Sequence, residues 1–123
     1  MSDQPTILII AYNQRNLELL GQFLGKAGYQ ILQASSAEGF EQILTTMPNL
    51  QFALIDISGF DQRIWDSCKR LQTTGIPFLV ISPHSNAVIE RQSLVSGARS
   101  VLVKPLAIAE LLGLIRSVLG QQP

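Results

Sequence analysis

The chain has 123 residues, of which 46% are hydrophobic and 15% charged, a composition typical of a folded globular protein and unlike a disordered one. Its 9 basic and 9 acidic residues leave no net charge, which argues against nucleic acid or an anionic membrane surface as a partner. The single cysteine, Cys68, excludes an internal disulfide bond and fits a reducing compartment.

We expect no export signal at the amino terminus. Met1-Ser2-Asp3-Gln4-Pro5 contains no cationic residue, so the apolar residues 7–10 are not the core of a signal peptide. No apolar run approaches the roughly 20 residues that a membrane-spanning helix needs. We therefore expect one cytoplasmic domain over residues 1–123, without membrane contact.

The first half of the chain alternates two strands with two helices. Residues 6–10 form a β-branched apolar run, which predicts a strand buried on both faces of a parallel sheet. Asn13 is a suitable N-cap for the helix that follows, and Gly28 is a suitable stop. A more polar strand comes next over residues 29–34, and the second helix is expected to end before Pro48.

The second half begins with the apolar run Phe52-Ala53-Leu54-Ile55-Asp56, which predicts a central strand that ends in a carboxylate. A third helix follows, in which Trp65 and Cys68 lie on the apolar stripe and are interpreted as packing residues. A fourth strand is predicted over residues 77–82, and the next helix is expected over about residues 85–96.

Residues 101–104 complete the set as a fifth strand, and an amphipathic helix follows Pro105. Five strands that alternate with five helices predict an α/β fold in which helices cover both faces of a parallel sheet. Right-handed crossovers favour the flavodoxin-like, doubly wound strand order 2-1-3-4-5.

Polar side chains end three of these strands: Asp56, Ser82 and Lys104. Strand ends meet at one edge of a parallel sheet, where a carboxylate is able to accept a phosphoryl group as a nucleophile. Lys104 and Ser82 would then contact phosphoryl oxygens. The same residues also fit a structural ion pair between Asp56 and Lys104, with a Ser82 hydroxyl that satisfies its own turn.

These residues resemble the receiver domains of two-component response regulators. The resemblance is carried by Leu54-Ile55-Asp56, by Ile81-Ser82 and by residues 97–106, Gly-Ala-Arg-Ser-Val-Leu-Val-Lys-Pro-Leu. It implies that Asp56 is the phosphoacceptor and that Ser82 and Lys104 contact the phosphate. It also implies a signalling domain, not an enzyme with a free substrate, whose partner is a histidine kinase or another signalling protein.

Two positions after the first strand depart from the family pattern. Receivers carry a pair of acids there that holds Mg²⁺ with the phosphoacceptor, and those positions are Ala11 and Tyr12 in this chain. Mg²⁺ binds through carboxylates and water, and neither residue supplies a carboxylate. Beside Asp56, further oxygens for a metal could come from Asn13 and Asp61. We therefore expect an atypical receiver with weak or absent Mg²⁺-dependent phosphorylation, and no other cofactor.

The aromatic switch position of the family is Val101, which has no ring to rotate. The output face of the family is formed by the fourth helix, the fifth strand and the fifth helix. Apolar residues on these helices exceed one buried stripe, so they either pack on the sheet or form a partner surface, including that of a symmetric dimer. They are Ala87, Val88, Leu94, Val95 and Leu114.

Two other functions stay open. The three strand-end residues are all present, so the domain could still accept a phosphoryl group if Asn13, Asp61 and water place the metal. A nucleotide- or flavin-binding domain of the same topology is disfavoured, because residues 11–16 contain no glycine and no run of Ser and Thr to cradle a phosphate. His84 has no nearby metal-binding companion in the sequence and is expected to face solvent.

Overall fold

The computed structural model describes residues 4–46 and 49–120. Within these residues five strands alternate with five helices. The strands are β1 (Thr6–Ala11), β2 (Gln30–Ala34), β3 (Leu50–Asp56), β4 (Phe78–Ser82) and β5 (Val101–Val103). The helices are α1 (Gln14–Lys26), α2 (Ala37–Thr46), α3 (Ile64–Thr74), α4 (Ala87–Val95) and α5 (Ile108–Leu119).

The strands form one parallel sheet in the order β2-β1-β3-β4-β5. This confirms the predicted flavodoxin-like, doubly wound arrangement. The strand order reverses between β1 and β3, and ligands of such sheets bind beyond the strand ends at that point. The register of β1 and β3 sets Ala11 beside Asp56, so the two strands end side by side.

Two apolar cores lie on opposite faces of the sheet. Alternate residues of the central strands face opposite sides, which places Ile9 and Leu54 against α1 and α5, and Ile55 against α2 and α3. Burial on both faces explains why these strands read as continuous apolar runs. Trp65 and Cys68 lie in the core that contains α2 and α3, as predicted for packing residues.

Polar caps and glycines set the helix ends. Asn13 caps α1 as predicted, because its Oδ1 accepts the Asn16 backbone N–H at 3.1 Å. Gly28 follows the C-cap of α1 with a φ of 101°, a conformation that glycine adopts without strain. The fourth helix begins later than predicted, because Asn86 accepts two backbone N–H groups of its first turn.

Two predictions fall at least partly outside the described residues. Pro48 is one of the undescribed residues, and α2 is described up to Thr46. Residues 1–3, which belong to the segment used to predict that no export signal is present, are also undescribed. In the part of the chain that the structure describes, no helix is both long and apolar enough to cross a membrane.

Most apolar side chains of α4 point into solvent, and Ile89 is the one that packs against the core containing α2 and α3. Val88 and Val95 are 74% and 68% exposed, Leu94 is half-exposed, and Ala87 is also exposed. The interpretation that these residues pack on the sheet is therefore wrong for α4, and they form a surface. Leu114 on α5 differs, because it is half-buried against the core that contains α1 and α5.

Candidate functional site

The three predicted strand-end residues lie at one edge of the sheet. Asp56 is the last residue of β3, Ser82 is the last residue of β4, and Lys104 follows β5 directly. The Lys104 Nζ atom lies 2.8 Å from Asp56 Oδ2. The Asp56 side chain is only 1% exposed, whereas that of Lys104 is 30% exposed, so the lysine covers the carboxylate.

Two further groups bind the Asp56 carboxylate. Asn16 Nδ2 donates to Oδ2 at 3.1 Å, and the Ser58 backbone N–H donates to Oδ1 at 3.1 Å. Lys104 Nζ also donates to Ser58 Oγ at 3.4 Å. Both carboxylate oxygens therefore accept hydrogen bonds, and a cation neutralises the charge, which is how a buried carboxylate avoids a large desolvation cost.

Sequence reasoning missed Asn16 and Ser58 as members of this site. Ser58 follows Asp56 by two residues, which is the spacing of a side chain that accepts from its own turn, so this contact has a local sequence signal. Asn16 has a weaker signal. It stands in the first turn of α1, three residues after the N-cap Asn13, and only the neighbouring ends of β1 and β3 bring its amide to Asp56.

Ser82 is buried, and its hydroxyl is bonded within its own turn. Its Oγ donates to the backbone carbonyl of His84 at 2.7 Å, within the turn that follows β4. The hydroxyl thus satisfies its own turn, which is one of the two roles that the sequence left open. His84 itself is exposed, as predicted.

The two positions of the expected acidic pair hold apolar contacts. Ala11 is fully buried at the end of β1, beside Asp56. Tyr12 is 64% exposed, and its ring meets that of Phe60 edge-on, with centroids 5.9 Å apart. The Tyr12 ring also covers Gly59, where an added Cβ would lie 2.9 Å from Tyr12 Cδ2.

The other candidate metal ligands are engaged elsewhere. Asn13 Oδ1 caps α1. Asp61 forms an exposed ion pair with Arg63 at 3.0 Å, and the hydrogen bond from the Arg63 side chain holds the pKa of the Asp61 carboxyl below its usual value. Among residues 4–46 and 49–120, no group of three or more His, Cys, Asp and Glu side chains lies close enough to hold a metal ion.

Val101, at the predicted switch position, is half-buried in β5. It packs against the core that contains α2 and α3, together with Ile89 of α4. Valine has no ring, so it is unable to make the rotation that an aromatic residue makes at this position.

Solved structures share this architecture over nearly the whole chain. A two-component response regulator from Clostridium difficile superposes with a TM-score of 0.87 at 24% identity, covering 95% of this chain and 97% of that one. The chain has the receiver-domain fold. A CheY-like receiver domain protein from Methanospirillum hungatei gives a TM-score of 0.86 at 22% identity, covering 96% of this chain and 95% of that one.

Curated relatives with detectable sequence similarity carry the names of regulators. "Probable transcriptional regulatory protein SilR" of Salmonella typhimurium is 30% identical, with 92% of this chain aligned to 50% of that protein. "Transcriptional regulatory protein CusR" of Escherichia coli is 28% identical over the same shares. The chain thus spans about half the length of these relatives, and no protein-family model matches it.

In the receiver fold, the edge that carries Asp56 and Lys104 lies at the point where the strand order reverses. The chemistry available there is that of a buried carboxylate whose charge a lysine neutralises. A hydroxyl, Ser82, lies at the end of the neighbouring strand.

Proposed function

We propose that this chain is the receiver domain of a two-component response regulator and acts through protein–protein interaction, with weak or absent Mg²⁺-dependent phosphorylation at Asp56. The observation that carries this proposal is the 2.8 Å ion pair between Lys104 and Asp56 at an edge with Ala11 and Tyr12 where a second carboxylate would stand. The receiver fold and the similarity to named regulators support the signalling class.

The residues at the strand ends do not fit a magnesium ion. Mg²⁺ demands octahedral oxygen coordination and is bound through one or two carboxylates with water. Ala11 offers no side-chain ligand, and the Tyr12 ring is turned toward Phe60. The remaining carboxylate, Asp56, already accepts from Lys104 and Asn16. Without a metal, phosphoryl transfer loses the charge that neutralises the oxygens of donor and acceptor, so the step is expected to be slow.

A working phosphoacceptor is the second candidate, and one observation favours it. Asp56, Lys104 and Ser82 stand at the ends of neighbouring strands, an arrangement that a structural ion pair alone does not require. Under this candidate, Ser82 would exchange its bond to the His84 carbonyl for a phosphoryl oxygen. Lys104 would turn its ammonium from the bare carboxylate to the phosphoryl group.

The exposed side of α4 is the proposed partner surface. Val88, Leu94 and Val95 are exposed there, and Val103 of the neighbouring strand β5 is 42% exposed. Such a group of exposed apolar side chains is typical of an interaction site. The partner is a histidine kinase, another signalling protein or a second copy of this chain. Glu90 and Arg91 are adjacent charges of opposite sign on α4, which suits a symmetric pairing of two copies.

Intact-mass measurement after incubation with acetyl phosphate and Mg²⁺ tests the phosphorylation part of the proposal. We expect no phosphoryl adduct under conditions that label an ordinary receiver. The Asp56→Asn variant is the control, because it removes the acceptor while keeping the shape of the side chain. An adduct that requires both Mg²⁺ and Asp56 would replace the proposal with the working phosphoacceptor.

Analytical ultracentrifugation tests the proposed surface. If two copies pair through α4, Val95→Asp should abolish association, because it would bury a charge in an apolar contact. Gln42→Asp on α2 is the matched control, since it adds the same charge to an exposed helical position elsewhere. Equal association by both variants would exclude α4 as the self-association surface.

A further inference from the structure

An apolar groove of about 240 Å³ runs between α1 and the segment that joins β5 to α5, and it ends at the Asp56–Lys104 ion pair. Asn16 and the two ion-pair residues form its polar end. Its apolar walls are Leu19, Leu20, Phe23, Pro105, Leu106 and Ile108.

Packing within the domain does not account for the outer wall of this groove. The buried stripe of α1 consists of Leu17, Leu20 and Leu24. Leu19 and Phe23 lie outside that stripe and remain 44% and 47% exposed. Large apolar side chains that line a concave surface are typical of a ligand site, where their burial on binding is favourable.

The polar end of the groove presents an ammonium group. Asp56 and Lys104 both line this end of the groove, but the Asp56 side chain is only 1% exposed and that of Lys104 is 30% exposed, so a ligand meets the lysine before the carboxylate. An ammonium has three protons to donate. Within the described part of the chain, Lys104 Nζ donates to Asp56 Oδ2 and Ser58 Oγ, which leaves one proton for an acceptor in the groove. The ion pair is neutral as a whole, and the lysine is its more exposed member.

We infer that this groove binds a small amphipathic carboxylate, with its head on Lys104 and its apolar body along Leu20, Phe23 and Ile108. A volume of 240 Å³ equals that of about eight water molecules at ~30 Å³ each, which suits a ligand of roughly eight to ten non-hydrogen atoms. A medium-chain fatty acid has this size and this distribution of polarity. Because the head contacts Lys104, binding also reaches the ion pair that carries the proposed function.

Carboxylate binding in this groove is independent of the proposed function and is tested without phosphorylation. A negative result for one therefore leaves the other standing. Octanoate is titrated, below its micelle concentration, into ¹⁵N-labelled protein without acetyl phosphate. We expect saturable chemical-shift changes for the backbone amides of Leu19 and Phe23 in α1 and for that of Lys104 at the polar end of the groove. Octylammonium, which has the same tail and the opposite charge, should bind about tenfold more weakly, as expected for loss of a charged hydrogen bond.

Two variants separate the head contact from the tail contact. Lys104→Gln should weaken octanoate about tenfold or more, whereas Lys69→Gln on the exposed face of α3 should not. Phe23→Gln should weaken it about fivefold through lost apolar contact, while Val88→Gln on α4 should leave it unchanged. Phe23 and Val88 are both exposed, so these two substitutions leave the core intact even if Lys104→Gln does not fold.

Three outcomes would overturn the inference. They are the absence of saturable shifts with octanoate, an equal affinity for octylammonium, and an affinity that neither Lys104→Gln nor Phe23→Gln changes. A histidine phosphotransfer domain that shifts the same amides when octanoate does not would identify the groove as a protein-docking surface instead.

Discussion

Lys104 closes over Asp56, with its Nζ atom 2.8 Å from Asp56 Oδ2. The two residues come from the ends of β3 and β5, on either side of β4. Asn16 and the Ser58 backbone N–H complete the coordination of the carboxylate. The site is therefore neutral and hydrogen-bonded without any added ion, a property that bears on both its stability and its chemistry.

Removal of Lys104 should destabilise the domain more than removal of the charge on Asp56. Lys104→Ala leaves a buried carboxylate with only Asn16 and Ser58 as donors, and we expect a loss of about 3 kcal/mol in the free energy of unfolding. Asp56→Asn keeps a hydrogen-bonding side chain and leaves a lysine that is able to reach solvent, so its cost should be about 1 kcal/mol. Urea denaturation at neutral pH measures both.

The double variant supplies the internal check. Asp56→Asn with Lys104→Ala should be more stable than Lys104→Ala alone, because the unpaired buried charge is gone. Lys69→Ala, at an exposed position of α3, is the control for loss of a lysine elsewhere. If Lys104→Ala and Lys69→Ala cost the same, the ion pair contributes nothing to stability.

Acids at positions 11 and 12 should convert the site into one that depends on metal. Ala11 lies beside Asp56 in the register of β1 and β3, so Ala11→Asp with Tyr12→Asp would bring carboxylates together. Their repulsion should lower stability in EDTA, and Mg²⁺ should restore it by about 2.7 kcal/mol at one hundred times its dissociation constant. Thermal denaturation with and without Mg²⁺ measures the difference.

The amide pair Ala11→Asn with Tyr12→Asn is the matched control for this design, because it changes size and polarity without charge. Neither the control nor the natural chain should respond to Mg²⁺. A Mg²⁺-dependent rise in melting temperature of the natural chain would show that the site already binds the ion, in contradiction to the proposed function.

The sheet could be predicted from the sequence because strands that are buried on both faces are continuously apolar. The continuous apolar run before Asp56 has no polar face. Such a strand must be buried on both faces, which is typical of the middle of a parallel sheet. The meeting of Asp56 and Lys104 followed from the strand order, since the ends of parallel strands share an edge. Neither step needed knowledge of a loop.

The details that depend on loops could not be predicted. Asn16 reaches Asp56 only because the end of β1 lies beside the end of β3. Ser82 had two roles open, and the turn after β4 gave its hydroxyl the His84 carbonyl as acceptor. The Tyr12 ring contacts a ring in the loop after β3, which lies far away in the sequence. Alternation of apolar residues carries no information on such contacts.

Gly59 should tolerate a side chain less well than another glycine with the same backbone conformation. Gly59 and Gly75 have φ values of 86° and 83°, so alanine at either position carries a strain of about 1–2 kcal/mol. Only Gly59 has a neighbour in the way, since its added Cβ would lie 2.9 Å from Tyr12 Cδ2, while Gly75 has open space. Gly59→Ala should therefore be the more destabilised variant in urea denaturation.

Truncation of the ring tests the cause of that difference. In a Tyr12→Ala background, the cost of Gly59→Ala should fall to that of Gly75→Ala, because the steric conflict is removed and the backbone strain remains. A cost that stays the same in this background would mean that the Tyr12 ring moves aside freely, and that it does not hold the loop after β3.

Cys68 should make the domain lose stability in alkaline solution. Burial raises the pKa of its thiol from 9.0 to about 12, so the folded protein keeps the proton at pH values where the unfolded chain releases it. This contribution is complete below pH 9.0 and is lost as the pH rises toward about 12. Between these values the free energy of unfolding should fall with a slope of up to about 1.4 kcal/mol per pH unit.

The Cys68→Ala variant isolates this effect, because it removes the titrating thiol and leaves other groups in place. Burial also raises the pKa of Tyr29, which acts in the same direction, so the informative quantity is the difference between the two slopes above about pH 9. The natural chain should have the steeper slope, and its thiol should react with an alkylating reagent only at the rate at which the protein unfolds. Equal slopes together with rapid alkylation would mean that the core around α3 opens without global unfolding, which would place Cys68 in a locally unstable part of the fold.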